Sequence, residues 1–196
     1  MNVYFREKTV ANQKGLTLIE LMIVVTIALS ISGAVLAQFK VGEQSRNVRI
    51  AADDIQSALR LMQNNALSGI PYQIGPPPTP AQYFGWRIDL LLPTQHTTFV
   101  ESPTNVLQVL ENLVLPPQVT IQNLAVNCFG LCIADENALE VRFFPPFGAM
   151  EFHYRSANGA WQTITNGRAT FQVRYGATAR IRTITIDGIS GRISVQ

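Results

Sequence analysis

Hydrophobic positions fall along this chain in three regimes. From Leu16 to Phe39 the sequence LTLIELMIVVTIALSISGAVLAQF is apolar on all sides, and Glu20 is its one charge. At a rise of about 1.5 Å per residue, a helix over 16–39 is long enough to cross a hydrocarbon core of about 30 Å. A membrane-spanning helix is the expectation. Beyond it the apolar residues thin to one face: Val48, Ala51, Ala52, Ile55, Leu59, Met62 and Ala66 recur at steps of three and four, with Arg46, Arg49, Asp53, Asp54, Gln56, Arg60 and Gln63 between them. Gly69 followed by Pro71 is a stop signal, glycine past the last turn and proline unable to continue it. The pattern predicts one long helix whose amphipathic continuation covers 40–68, or two helices broken near Gly42.

The third regime alternates. Four prolines within 76–80 remove donors and fix φ, so 71–80 reads as a loop. Strand signals follow at Tyr83–Leu92, Thr97–Glu101, Val106–Leu110, Gln118–Leu124, Ala138–Phe144, Ala149–Arg155, Trp161–Ile164, Ala169–Tyr175, Ala179–Asp187 and Arg192–Gln196. Turn chemistry at Pro145–Gly148, Ser156–Gly159, Gly176-Ala177 and Gly188–Gly191 sits at hairpin spacing. The expected fold class is α+β, a long N-terminal helix packed on a C-terminal antiparallel β domain over 69–196. That length supports one core-bearing domain.

Charge adds a polarity. The chain carries a formal +2, and residues 1–15, with Arg6, Lys8 and Lys14 against Glu7, account for it. Residues 16–141 then hold five basic and ten acidic groups, while 142–196 hold seven arginines against Glu151 and Asp187. Such a dipolar domain suits docking onto a neighbouring copy or an anionic partner. Arg180 and Arg182 share one strand face by their spacing, and Arg192 falls on the adjoining strand of the predicted hairpin. This trio is the candidate anionic-partner face, expected to serve subunit contacts with weak nucleic-acid affinity at most.

Chemistry of the catalytic kind is sparse. His96 lies in a polar turn signal and His153 in a strand signal, ordinary structural settings for both. Gly188-Ile189-Ser190-Gly191 is not a nucleophile elbow, because the second glycine comes directly after serine. Asp135-Glu136-Asn137 reads as a solvated turn sooner than a calcium ligand set. Cys128 and Cys132, with Gly130 between them, are expected to form a disulfide outside the cytoplasm, the alternative being free thiols. No enzyme, cofactor or metal is expected.

The junction Lys14-Gly15-Leu16-Thr17-Leu18-Ile19-Glu20 carries the sharpest signal. A secretory leader has its small-residue cleavage site after the apolar core, whereas here the glycine precedes it, so cleavage at Gly15 would leave the helix on the mature chain. An ionised carboxylate inside a membrane helix costs on the order of 2.5 kcal/mol or more and calls for a partner. The segment KGLTLIELMIVV resembles the signal of type IV prepilins and type II secretion pseudopilins. That resemblance implies a leader over 1–15 cut after Gly15 by a prepilin peptidase, methylation of the new Leu16 amine, and Glu20 as the assembly carboxylate pairing with a neighbour's Leu16 amine. Leu16 stands where most members have Phe, and the helix lacks the kinking proline of many major pilins. An ordinary signal anchor with a tolerated glutamate is the bland alternative. FFPPFGAMEF and RIRTITIDGISGRISVQ, with Gly191-Arg192, are similar to the C-terminal strands of the GspH/FimT branch of minor pseudopilins and pilins. The resemblance implies a non-enzymatic subunit of a type II secretion pseudopilus or type IV pilus, in the inner membrane with its β domain on the outer side. Other pilins, an inner-membrane assembly platform and membrane lipid would be its partners. A DNA-binding minor pilin at a pilus tip is the competing implication, weakened because Ile193 and Ser194 follow Arg192 where a second arginine is expected.

Overall fold

The structure is a computed structural model and describes residues 17–69, 72–74, 79–128, 131–134, 136–156 and 159–196. It divides into two compact units, one ending at Gly42 and one running Glu43–Gln196. Helix α1 covers Leu18–Ser68, as the two consecutive patterns predict for a single helix.

In the first unit α1 opens on a reciprocal cap. The Thr17 Oγ1 accepts from the Glu20 backbone N–H at 3.3 Å, and the Glu20 carboxylate accepts from the Thr17 N–H and hydroxyl, both at 2.8 Å. Two otherwise unpaired donors of the first turn are thereby satisfied. Farther on, the hydroxyls of Thr26, Ser30 and Ser32 donate to the carbonyls of Met22, Thr26 and Ala28 at 2.8–2.9 Å. These three hydroxyls are thereby turned back from an apolar surface whose most hydrophobic 18-residue stretch, among the described residues, is 0% buried. Its length and composition suffice to cross a membrane.

In the second unit all seven apolar positions of the predicted amphipathic face are buried, joined by Ala58. Gly69 (φ 62) ends the helix in the left-handed conformation that glycine adopts at no steric cost. Ten strand signals are met. The six-stranded sheet comprises β3 (Tyr83–Asp89), β4 (Gln95–Glu101), β5 (Leu107–Val114), β8 (Glu136–Phe144), β9 (Ala149–Ser156) and β10 (Trp161–Thr165), ordered β10-β9-β8-β3-β4-β5. The five-stranded sheet comprises β6 (Val119–Cys128), β7 (Leu131–Ala134), β11 (Arg168–Tyr175), β12 (Ile181–Asp187) and β13 (Arg192–Val195), ordered β13-β12-β11-β6-β7. Every described pairing is antiparallel. One core joins the α1 face to both sheets, and Trp86 of β3 stacks on Phe171 of β11 at 5.6 Å. Gln56 and Gln63 fasten the helix by donating to the carbonyls of Ile193 and Gly191 at 3.2 and 3.1 Å.

β5 runs on to Val114 from the expected Leu110, and β4 begins at Gln95, so His96 stands in a strand and is buried where a polar turn was expected. Three further features depart from the sequence expectation. The proline-rich stretch expected to be loop contributes a two-residue ladder, β1 (Gln73–Ile74) with β2 (Thr79–Pro80), in which Pro80 ends the pairing and needs no donor beyond it. β6 runs on from the expected Leu124 to Cys128 because a bulge at Asn123 (φ 52) absorbs one extra residue opposite β11. β7 was not expected; it pairs with the end of β6 through Asn127↔Cys132 and Cys128↔Leu131.

On the face of the six-stranded sheet away from Trp86, the Phe99 ring of β4 lies directly over Gly85 of β3, where any Cβ would meet it. Gly85→Ala is therefore expected to lower stability by about 1–3 kcal/mol through overpacking. Chemical denaturation of the detergent-solubilised chain measures it, and an unshifted midpoint would mean that Phe99 moves aside freely.

Candidate assembly and partner-contact sites

The sequence nominated the N-terminal junction, the cysteine pair and three arginines. Gly15 and Leu16 lie outside the described residues. Glu20 is described, exposed on the first turn, with its carboxylate engaged by Thr17 as above. The T-x-x-E spacing of a capping box was legible in the sequence and went unread beside the louder charge anomaly. Cys128 and Cys132 occupy the β6–β7 hairpin by backbone register, and their side chains lie outside the described residues, as does Asp135.

Most arginines of the basic C-terminal third find partners inside the domain. Arg142 donates to Glu140 at 2.5 Å, and Arg87 from the neighbouring strand donates to the same carboxylate at 2.6 and 3.0 Å. Glu140 is 1% exposed, so two guanidinium groups compensate its burial. Arg155 donates to Asp89 at 2.9 Å and Arg168 to Asp187 at 3.0 Å. Arg174 donates to the carbonyls of Ala177 and Thr178, both at 2.9 Å, bracing the β11–β12 turn. Asp187 also accepts from the backbone N–H groups of Ser190 and Ile189 at 2.9 and 3.1 Å. These bonds, that from Ser190 foremost, hold its pKa down at about 2. The aromatic rings share this ionic layer: Arg142 lies 4.3 Å over Tyr83, and Arg87 lies between Phe99 and Trp161 at 5.2 and 5.8 Å. Tyr83 donates to Glu101, and burial followed by that bond pushes its hydroxyl pKa up. Sequence reasoning missed this network because alternation marks a polar face without saying which charges meet across strands.

Arg180, Arg182 and Arg192 are exposed and make no ion pair among the described residues. Arg180 and Arg182 line one shallow pocket beside the start of the second unit with Ser45, Val48 and Gln196, and Arg182 lines a second with Arg49, Asp53 and Gln56. Arg192 pairs in register with Asp187, whose position alternates with the buried Ile184 and Ile186 that share the parity of Arg182. The fold therefore brings Arg180 and Arg182 together and sets Arg192 on the other face, at the opposite end of the hairpin.

Both histidines are engaged through Nδ1. His96 is 1% exposed and its Nδ1 accepts from the Trp86 indole N–H at 3.0 Å. His153 meets the Thr163 hydroxyl at 3.1 Å, with Glu151 3.5 Å away.

With this geometry in place, one comparison is informative. The family model for the prokaryotic N-terminal methylation motif matches residues 10–36. No curated protein and no solved structure matches the chain. The motif, followed by an apolar helix and an antiparallel β domain, supports a protein of the type IV pilin and pseudopilin superfamily that a prepilin peptidase processes. It points to a structural role and not to an enzyme.

Burial lowers the His96 pKa from 6.5 to about 4, and burial followed by the Arg142 charge lowers that of His153. The unfolded chain takes up a proton at His96 below about 6.5 and the folded chain only below about 4, so acid favours unfolding. Stability present above pH 6.5 should fall by on the order of 3 kcal/mol as pH drops toward 4. His96→Gln should flatten most of that slope in denaturation curves taken across the window, and an unchanged slope would assign it elsewhere.

Proposed function

We propose that this chain is a minor subunit of a type II secretion pseudopilus or type IV pilus, of the GspH/FimT kind, working as a mechanical part. The observation that carries it is the methylation motif at residues 10–36 overlapping the start of an apolar helix whose outward face its own chain leaves bare. In this reading residues 1–15 are the leader, cut after Gly15, and Leu16 becomes the methylated N-terminus. Residues 16–39 rest in the inner membrane, 40–68 continue the helix into the domain, and 69–196 form the β domain on the outer side. An assembly platform moves the helix from lipid into a bundle of like helices. Lipid tails and leucine-rich helices are similarly apolar, so that transfer changes the hydrophobic term little and leaves polar groups to decide register.

Glu20 is the polar group suited to that task. Its carboxylate caps its own helix through Thr17, and an oxygen has lone pairs beyond those two bonds for a neighbour's Leu16 amine.

Two outcomes test this function. Mass spectrometry of membranes from cells containing a prepilin peptidase should find a chain beginning at methylated Leu16, and Gly15→Phe should leave the precursor uncut. A mature end created anywhere after the apolar helix would refute the assignment. Separately, Glu20→Ala should insert and be cleaved as usual yet enter filaments or tip complexes several-fold less; undiminished incorporation in a pull-down would remove Glu20 from assembly.

A further inference from the structure

Three connections of the β domain meet at the end where α1 enters it. The β3–β4 turn is tied to the β5–β6 connection by Leu115 N–H donating to Thr94 O and Ile121 N–H donating to Pro93 O, both at 2.8 Å. The β5–β6 connection is tied in turn to the β11–β12 turn by Gly176 N–H donating to Gln118 O at 2.8 Å. Arg180 and Arg182, just past that turn, line a pocket with Ser45 and Val48, and Arg182 a second with Arg49, all of the first turns of α1 in this unit. The three segments therefore form one rim.

Its composition is unusual for a solvated edge. Leu91 is 72% exposed, Leu92 55%, Val114 75% and Ile181 40%. No acidic residue occurs in Leu90–Thr94, Val114–Val119 or Tyr175–Thr183, the last of which holds Arg180 and Arg182. Of the carboxylates on adjoining segments, Asp89 accepts from Arg155 and Asp53 pairs with Arg49 at 3.8 Å. Exposed leucines beside unpaired arginines suit the interfacial layer of an anionic bilayer, where apolar side chains enter the headgroup boundary and guanidinium groups bind phosphate in pairs of hydrogen bonds.

Connectivity supplies the occupant. Val48 follows Phe39 by nine positions, so the pocket that Val48 lines with Arg180 and Arg182 is tethered within about 30 Å of the apolar segment even by a fully extended chain. The β8–β9 turn, with Phe147, lies at the other end, where Gly148 meets Leu67. We propose that the rim of Leu91, Leu92, Val114, Arg180 and Arg182 is a membrane-surface contact that seats the β domain on anionic phospholipid while the subunit waits in the bilayer. It rests on the membrane-anchored reading above. Assembly would then have to detach the rim as well as withdraw the helix.

The test places tryptophan at each end of the full chain, reconstituted in vesicles of brominated phosphatidylcholine with or without phosphatidylglycerol. Leu92→Trp should lose emission relative to the parent chain, more so with phosphatidylglycerol, and Phe147→Trp should not. Adding Arg180→Glu and Arg182→Glu to Leu92→Trp should restore the emission. Equal quenching at positions 92 and 147, or quenching at 92 indifferent to both phosphatidylglycerol and the arginine reversals, would overturn the contact. So would capture of duplex DNA by the vesicle-bound chain that the reversals abolish while quenching at 92 stays, which would assign the arginines to nucleic acid. Carbonate extraction separates the two levels: a chain that stays in the membrane but fails these criteria refutes the rim alone, and a chain released by carbonate refutes the anchor with it.

Discussion

Everything in this molecule follows from an apolar surface that its own chain does not cover. The first half of α1 leaves its most hydrophobic stretch wholly unburied, while the second half of the same helix is sealed into a core with two sheets. At roughly 25 cal/mol per Å² of apolar area, leaving that stretch in water would offset much of what a domain of this size gains by folding. Lipid or other helices must cover it. Local chemistry is arranged for that: capped first-turn donors, and hydroxyls turned back onto the helix carbonyls. A segment built this way passes between two apolar surroundings without breaking a hydrogen bond, as the proposed subunit role requires.

The charge polarity of the sequence is spent largely inside the domain. Arg142 and Arg155 from the basic third reach Glu140 and Asp89 from the acidic part, and Arg87 completes the enclosure of Glu140. Burying that carboxylate without both guanidinium groups would cost several kcal/mol, so these arginines are held by the fold and are poorly free to recruit anything else. What remains for outside contacts is narrower than the sequence suggested. Arg180 and Arg182 stand together beside the entry of α1, and Arg192 stands apart from them.

Much of the architecture was legible because its signals are local. Period-three-and-four apolar residues through Ala66 and a glycine at 69 mark the helix, and glycines at 148, 176 and 191 with positive φ mark hairpins. The missed elements depend on information that periodicity lacks. The β1–β2 ladder hides in a proline-rich stretch because two paired residues suffice for it. The extension of β6 needs a left-handed Asn123, and β7 exists through pairing with that extension. At the candidate sites Gly15, Leu16 and Glu20 rest on the resemblance of the motif, whereas the separation of Arg192 from its two neighbours came only with strand register. Spacing along one strand determines a face, but a residue on the next strand needs its partner known.

The central claim, that the bare half of α1 finds like helices as its final partner, is open to direct measurement. A photo-reactive phenylalanine analogue at Leu29, which is 68% exposed, reports what covers that surface in cells carrying the assembly machinery. The account predicts cross-links to the N-terminal helices of other pilin-like subunits, present with the assembly platform and lost without it. Cross-links to lipid alone in both strains would contradict it.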